Sequence, residues 1–145
     1  RDSHVFVFVG DGECDEGQVW EAAQFAAHYK LDNLVCFVDS NKRQLDGAVE
    51  DIMSHGKGLR AKFDAFGWNA IELEDGNDVE QIYDAVQEAY ATKGQPTAII
   101  LNTIKGKGAT FAESTGAHSS QPTPEQWEEA IAAAEAELAA VKAAK

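Results

Sequence analysis

The sequence predicts an α/β fold, in which an open and mainly parallel sheet carries helices on both of its faces. The first observation behind this prediction is that short apolar segments alternate with helical segments along the chain. The second is that the connections between them are short, which favours parallel strands joined by right-handed crossovers. Only four strands can be counted, so we expect the sheet to be incomplete at its N-terminal side.

Four segments rich in Val, Ile, Phe and other apolar residues predict the strands. The first, HVFVFVG at residues 4–10, is almost entirely apolar and ends at a glycine, which is typical of a strand covered on both faces. The other three strands are predicted at residues 33–41, 69–74 and 96–104. Ligands of open α/β sheets bind beyond the carboxyl ends of such strands, so these ends are where a site is expected.

Helices are predicted between the strands and at the end of the chain. Residues 17–29 have a helical period with a face of small side chains, and a short helix follows at residues 59–66. Residues 78–94 begin with an aspartate cap and end at a glycine. The last helix begins with Thr123 as its cap and Pro124 in the first helical position.

Composition excludes several classes of protein. The formal net charge of −13 argues against binding to nucleic acid or to an anionic membrane, which requires a basic surface. No apolar run reaches the roughly 20 residues of a membrane span, and the start does not resemble a signal peptide. Cys14 and Cys36 are too few for a disulfide framework, so we expect a reducing, cytoplasmic setting.

An acidic turn follows the first predicted strand and raises a question of charge. The segment VGDGECDEGQVWEA places four carboxylates close together, and they repel one another: Asp11, Glu13, Asp15 and Glu16. If the first two strands are neighbours, Asp11 and Asn41 face a common crevice. A carboxylate and an amide oxygen suit a hard cation such as Mg²⁺.

Glycines in the same turn favour a phosphate ligand. Gly10, Gly12 and Gly17 leave room for phosphates to approach the backbone, and the helix that begins near Gly17 directs its N-terminus the same way. The alternative is that Asp-Gly after a strand is an ordinary turn and that Asp before a helix is an ordinary cap. The dinucleotide pattern G-x-G-x-x-G is absent because position 15 is Asp, and no G-K-[ST] follows the glycines.

A longer pattern connects the two polar segments. The segment GDGECDEGQVWEAAQFAAHYKLDNLVCFVDSNKRQLDG resembles the thiamine diphosphate motif, which begins with G-D-G and ends with N about thirty residues later. Within it, WEA, LDNLV and DSNK are similar to transketolases, as are TIKGKG at residues 103–108 and the late His118. The resemblance covers about residues 5–122. It implies that residues 1–122 are part of a thiamine diphosphate-binding, Rossmann-like domain and that residues 123–145 are its C-terminal helix.

The resemblance implies a set of cofactor and metal ligands. Asp11, the amide oxygen of Asn41 and the backbone carbonyl of Arg43 would bind Mg²⁺, with Ca²⁺ or Mn²⁺ as substitutes, and diphosphate oxygens and a water would complete the octahedron. Gly12 would donate its backbone N–H to the diphosphate, beside Gly10. Leu45 and Ile104 match positions that pack against the rings of the cofactor, although both have the alternative of being plain core residues.

Three further residues match positions that act in catalysis in the family. Glu16 and Glu21 match acids of a buried glutamate network that links the two active sites of a dimer, although a helical Glu21 has the alternative of lying on a solvated face. His118 is similar to the histidine that lies between diphosphate and substrate. The remaining histidines have no motif support and are interpreted as structural or solvated: His4, His28 and His55.

The implied activity is that of a transketolase, an enzyme of the pentose phosphate pathway. Transketolases transfer a two-carbon ketol unit from a ketose phosphate to an aldose phosphate, and the cofactor performs the difficult chemistry. This chain matches only the diphosphate half of the site, so we expect a partner with the pyrimidine domain, in a homodimer or a heterotetramer. We interpret the chain as an N-terminally truncated subunit of a split transketolase, inactive without that partner. The alternatives are a non-catalytic binding or assembly fragment and another enzyme of the superfamily, such as deoxyxylulose-phosphate synthase.

Overall fold

The computed structural model describes residues 3–113 and 121–143. The chain divides into two compact units, the first ending at Thr103 and the second beginning at Ile104. The regular elements of the first unit follow one another as β1 (Val5–Gly10), α1 (Gly17–His28), β2 (Leu34–Asp39), β3 (Arg43–Gln44), β4 (Gly47–Ala48), α2 (Val49–Ile52), α3 (Leu59–Ala65), β5 (Asn69–Leu73), α4 (Val79–Ala91) and β6 (Thr97–Leu101). A 3₁₀ turn at Glu13–Asp15 lies between β1 and α1.

The main sheet confirms the predicted class. Its four strands are all parallel and lie in the order β1-β2-β6-β5. Because β6 is inserted between β2 and β5, the chain crosses over the sheet instead of forming hairpins, as the alternation of strands and helices predicted. The register places Gly10 opposite Asp39, so β1 and β2 end at the same level.

Helices cover both faces of this sheet, also as predicted. Side chains alternate along a strand, so Cys36 and Val38 face one side while Val35 and Phe37 face the other. The first side packs against α1 and α3, where Phe63 is fully buried. The second side packs against α4. The small residues of α1 and α4 that lie against the sheet are Ala23, Ala26, Ala85 and Ala89.

The prediction that the first strand is covered on both faces was wrong. β1 is an edge strand, and its residues from Val5 to Phe8 are exposed. Phe8 is 70% exposed, and its ring stacks on that of Phe37 of the neighbouring strand, at 4.8 Å between ring centroids. Within the described residues no strand pairs with the outer side of β1.

Sequence reasoning did not predict the small elements between β2 and α3. β3 and β4 form a two-residue antiparallel hairpin, and α2 is a single turn. Strands and helices this short have no detectable hydrophobic period. They matter because the hairpin follows the carboxyl end of β2, where the site was expected.

The second unit contains α5 (Pro124–Ala143), which begins as predicted. The backbone N–H of Gln126 donates to Thr123 Oγ1 at 3.3 Å, and the Gln126 side chain accepts the Thr123 N–H at 2.8 Å, which together form a capping box. The Trp127 ring packs edge-on against Phe111. Among the described helices of the chain, none combines the length and the apolar character that crossing a membrane requires.

Candidate functional site

Two polar turns meet at the carboxyl ends of β1 and β2. Asp11 follows β1 directly, and residues 40–43 follow β2. The backbone N–H of Asp11 continues the ladder by donating to the Asp39 carbonyl at 3.0 Å. The structure therefore brings together the two segments that the sequence placed thirty residues apart.

The Asp11 carboxylate lies at the centre of this region. The residue is 1% exposed, and its two oxygens accept different backbone donors. Oδ1 accepts the N–H of Gly12 at 2.8 Å, and Oδ2 accepts the N–H of Lys42 at 2.6 Å. Burial raises the pKa of Asp11, and the two backbone N–H groups oppose that rise. Each oxygen keeps a lone pair for a further partner, because a carboxylate has about four acceptor positions.

The turn after β2 adopts a strained conformation. Lys42 has a φ of 63°, in the left-handed region that non-glycine residues rarely occupy. Its ammonium group donates to Ser40 Oγ and to Asn102 Oδ1, both at 2.7 Å. Together with the bond from its N–H to Asp11, these contacts hold Lys42 from three sides and compensate for the strain.

The Asn41 amide is oriented by its neighbours. Its Nδ2 donates to Asp39 Oδ2 at 3.1 Å, and its Oδ1 accepts the Arg43 N–H at 2.9 Å. The other oxygen of Asp39 accepts the Thr103 hydroxyl. The amide oxygen that the resemblance assigns to a metal is thus fixed in the turn, with one lone pair engaged by Arg43.

Gly12 lies against the side chain of Gln44. A Cβ at Gly12 would stand 3.1 Å from Gln44 Cγ, closer than most real contacts allow. The Gly12 N–H donates to Asp11, and the Gly10 N–H donates to Glu13 Oε2 at 2.6 Å. The glycine thus permits the close approach of β3 to the acidic turn, and its N–H is engaged within the turn itself.

Asp15 connects the acidic turn to two other segments. Its Oδ2 accepts from Gln44 Nε2 at 2.7 Å, and its Oδ1 lies 3.6 Å from His55 Nδ1. The same His55 nitrogen lies 3.3 Å from Lys62 Nζ of α3. Burial lowers the pKa of His55, and the positive charge of Lys62 lowers it further. Sequence reasoning missed His55 and Gln44, since no motif or spacing links them to the acidic turn.

Most of the carboxylates in the acidic turn accept hydrogen bonds. Asp11, Glu13 and Asp15 each accept a hydrogen bond from a backbone or side-chain N–H. Glu16, at the N-cap of α1, is exposed. Water and hydrogen-bond donors therefore offset much of the repulsion, and Asp11 is the one of the four that is fully buried.

The other predicted site residues are exposed or lie outside the described residues. Glu16 and Glu21 are both exposed, so the buried glutamate network stays a prediction that requires a second chain. Leu45 is 76% exposed, and Ile104 is 46% exposed and belongs to the second unit. His118 lies outside the described residues.

The donor set restricts which chemistry the site supports. In residues 3–113 and 121–143 no three His, Cys, Asp or Glu side chains form a group able to hold a metal. Burial raises the pKa of Cys14 to about 12 and that of Cys36 to about 11, so neither supplies a thiolate. Asp11, Asn41 and a backbone carbonyl fit a hard cation, provided that a ligand supplies the remaining oxygens.

The sequence of the chain is similar to those of transketolases. Residues 1–139 match the family described as "Transketolase, thiamine diphosphate binding domain". The chain is 44% identical over 134 residues to the 6-deoxy-6-sulfo-D-fructose transketolase subunit of Clostridium sp. (strain MSTE9), and this covers 92% of the chain and 48% of that relative. It is 39% identical over 131 residues to an apulose-4-phosphate transketolase subunit of Phocaeicola vulgatus, covering 90% of the chain and 46% of that relative.

Solved structures agree with the sequence relatives. The transketolase of Campylobacter jejuni has a TM-score of 0.80 and 29% identity to the chain, covering 89% of the chain and 20% of that structure. The transketolase of Pichia stipitis has a TM-score of 0.79 and 32% identity, covering 86% of the chain and 18% of that structure. The chain spans about half the length of the two relatives from Clostridium sp. and Phocaeicola vulgatus and about a fifth of these structures.

Proposed function

Because the chain belongs to the transketolase family, as its thiamine diphosphate-binding domain, we propose that it supplies the diphosphate- and metal-binding half of a transketolase site. The observation that carries the proposal is the hydrogen bond from the Lys42 N–H to Asp11 Oδ2. It holds a buried carboxylate beside the turn that contains Asn41 and Arg43, which are the residues that the family motif assigns to the metal.

Three protein oxygens would hold the divalent cation. They are a carboxylate oxygen of Asp11, Oδ1 of Asn41 and the backbone carbonyl of Arg43. All three are hard oxygen donors, which suit Mg²⁺ and its substitutes Ca²⁺ and Mn²⁺. A dication also offsets the cost of burying the Asp11 charge, since burial disfavours the ionised form and a nearby positive charge favours it.

Thiamine diphosphate would bind across the same edge of the sheet. Its diphosphate would lie beside Gly10 and Gly12 and share the metal, and Leu45 and Ile104 would contact its rings. When bound, the cofactor supplies the carbon nucleophile and the electron sink for moving a two-carbon ketol unit between sugar phosphates. The chain's own residues bind and orient it, and His118 would lie between the diphosphate and the substrate.

A partner would supply the other half of the site. The relatives from Clostridium sp. (strain MSTE9) and Phocaeicola vulgatus are named as transketolase subunits, which supports a second chain that carries the pyrimidine domain. Glu16 and Glu21 are exposed in this chain, as expected of residues that a second subunit covers in a homodimer or a heterotetramer. The isolated chain would then bind the cofactor weakly or not at all and show no ketol transfer.

Native mass spectrometry tests this proposal directly. The chain is measured alone, with Mg²⁺ and thiamine diphosphate, and with both together with a candidate pyrimidine-domain subunit. We expect a complex that contains both chains, the metal and the cofactor, and ketol transfer only from that complex. A chain that takes up neither cofactor nor subunit under these conditions would contradict the proposal.

A further inference from the structure

We propose that His55 is a positioning residue of the metal–diphosphate site and that it acts through Asp15 and Gln44. The inference deepens the proposed function and rests on it. Asp15 and Gln44 lie within the segment that resembles the thiamine diphosphate motif, but the resemblance gives neither of them a role, and His55 lies outside that segment.

The contacts form a continuous path from α3 to the metal-binding turn. Lys62 Nζ lies 3.3 Å from His55 Nδ1, and His55 Nδ1 lies 3.6 Å from Asp15 Oδ1. Asp15 Oδ2 then accepts from Gln44 Nε2 at 2.7 Å. Gln44 directly follows Arg43, whose carbonyl is a proposed metal ligand.

The path also reaches the diphosphate side of the site. Gln44 packs against Gly12 so closely that a Cβ there would stand 3.1 Å from Gln44 Cγ. A shift of the Gln44 side chain therefore alters its packing against Gly12, and it is linked to the Arg43 carbonyl through the peptide bond between the two residues. Fixing Gln44 sets the spacing between the two turns, as outer partners of metal ligands commonly do.

Burial shows that this path is held in place. The side chains of His55 and Asp15 are 9% and 16% exposed, so water has little access to the contact between them. His55 Nε2 is buried and has no hydrogen-bond partner among the described residues. His55 also lines a cavity of about 100 Å³ together with Asp11, Ser40 and Lys42. The ring therefore contacts Asp15 on its Nδ1 side, and it lines the same cavity as Asp11.

Two near-isosteric variants separate the nitrogens of His55. His55→Asn keeps a polar group near the position of Nδ1, and His55→Gln keeps one near the position of Nε2. If the contact with Asp15 is what supports metal binding, His55→Asn should retain the metal affinity and His55→Gln should lose it. If the ring acts only by filling space, the two variants should have the same metal affinity.

The test measures the affinity for Mn²⁺ of the complex between the chain and its pyrimidine-domain subunit in the presence of thiamine diphosphate, by electron paramagnetic resonance of free Mn²⁺. His55→Ala is expected to raise the Kd by about tenfold, the lower limit for removing an outer partner of a metal ligand. The Kd of His55→Asn for Mn²⁺ is expected to be close to that of wild type, and the Kd of His55→Gln is expected to be close to that of His55→Ala. The exposed His28 on α1 provides the control, and His28→Ala is expected to leave the Kd unchanged.

A double-mutant cycle tests whether His55 acts through Gln44. Gln44→Ala and His55→Ala are measured singly and together, and the double variant is expected to lose little more affinity than Gln44→Ala alone. Fully additive losses would overturn the proposed path. If His55→Ala shows no cooperative thermal transition and is therefore not folded, the comparison of His55→Asn with His55→Gln replaces it. The inference requires that His55→Asn bind Mn²⁺ more tightly than His55→Gln, and equal affinities of these two variants would overturn it.

The outcome also separates this inference from the function on which it rests. If wild type binds Mn²⁺ with the cofactor but His55→Ala binds equally well, the positioning role is wrong and the proposed function stands. If wild type binds no Mn²⁺ with the cofactor, even with its partner subunit present, both are wrong.

Discussion

The carboxylate of Asp11 accepts the backbone N–H of Lys42 at 2.6 Å, across 31 positions of sequence. This bond joins the ends of two neighbouring parallel strands and holds Lys42 in the left-handed conformation, at a φ of 63°. Because it accepts this backbone hydrogen bond, the Asp11 carboxylate stabilises the fold as well as belonging to the proposed site. Substitutions with matched controls can separate these two roles.

Removing the Asp11 carboxylate should abolish metal-dependent cofactor binding. In the complex of the wild-type chain with its partner subunit, Mg²⁺ with thiamine diphosphate at about 100 times its Kd should stabilise the fold by about 2.7 kcal/mol, because the ligand binds only the folded state. Asp11→Ala should show no such stabilisation in thermal unfolding and no heat of binding in titration calorimetry. Asp11→Asn is the second variant, because it keeps the size of the side chain if Asp11→Ala does not fold.

The control for Asp11 is Asp46, an exposed carboxylate in the turn between β3 and β4. Asp46→Ala changes the net charge by the same amount and should leave the calorimetric titration unchanged. Binding by Asp11→Ala at the wild-type Kd would show that the buried carboxylate is no metal ligand.

The N-terminus of α4 should make stability depend on pH through Asp78. Its carboxylate accepts from the side chain of Gln81 and from the backbone N–H groups of Glu80 and Gln81, and these bonds lower its pKa below the ordinary value of 3.8. A carboxyl whose folded pKa is lowered stabilises the fold fully above its unfolded pKa and loses that stabilisation as the pH falls through the folded pKa. Asp78→Ala should therefore melt below wild type at neutral pH.

The difference between Asp78→Ala and wild type should narrow as the pH is lowered below 3.8. Asp84→Ala serves as the control, since Asp84 is an exposed carboxylate further along the same helix. A difference in melting temperature that stays constant across the pH range would mean that the cap does not act through its charge.

Gly76 should tolerate no side chain. A Cβ there would stand 2.7 Å from the carbonyl carbon of Leu101 and 2.8 Å from the backbone nitrogen of Asn102, so the loop after β5 would separate from β6. We expect Gly76→Ala to lower the free energy of unfolding by about 3 kcal/mol, at the upper end for overpacking. The free energies of unfolding of the variant and of wild type are measured by chemical denaturation.

Gly17 is the matched control for Gly76, because a Cβ at this first residue of α1 would meet nothing within 4 Å. Gly17→Ala should be neutral or stabilising by up to about 1 kcal/mol, since alanine loses less backbone entropy on folding. Equal destabilisation by both substitutions would contradict the close packing of the loop after β5 on the end of β6.

The exposed edge of β1 should make the isolated chain self-associate. Among the described residues the outer edge of β1 has no strand partner, and apolar side chains such as Phe6 and Phe8 are exposed there, which favours pairing with another chain. The apparent mass from light scattering should rise with concentration, and Phe8→Lys should reduce that rise. Tyr83→Lys on α4, where the tyrosine is also exposed, should have a smaller effect. A wild-type chain that stays monomeric at all concentrations would contradict the prediction.

The sequence determined the sheet and its helices because each depends on local patterns. Strands such as residues 97–101 are apolar at every position except Thr97, and the caps at Asp78 and Thr123 mark where helices begin. Parallel pairing followed from the alternation of elements, since short crossovers allow little else. The sequence also indicated a site at the ends of β1 and β2, because Asp11 and Asn41 each follow a strand.

Only the tertiary structure decided how the acidic turn is held. Asp11 meets Lys42, and Asp15 meets Gln44 and His55, through contacts between segments 29 to 40 residues apart. No local period or motif encodes such pairs, because they depend on which strands become neighbours and on how closely Gly12 lets a side chain approach. Strand burial was decided in the same way. The apolar pattern of β1 matches that of β2, yet β1 lies at the edge, because its burial depends on a neighbour that the strand's own residues do not specify.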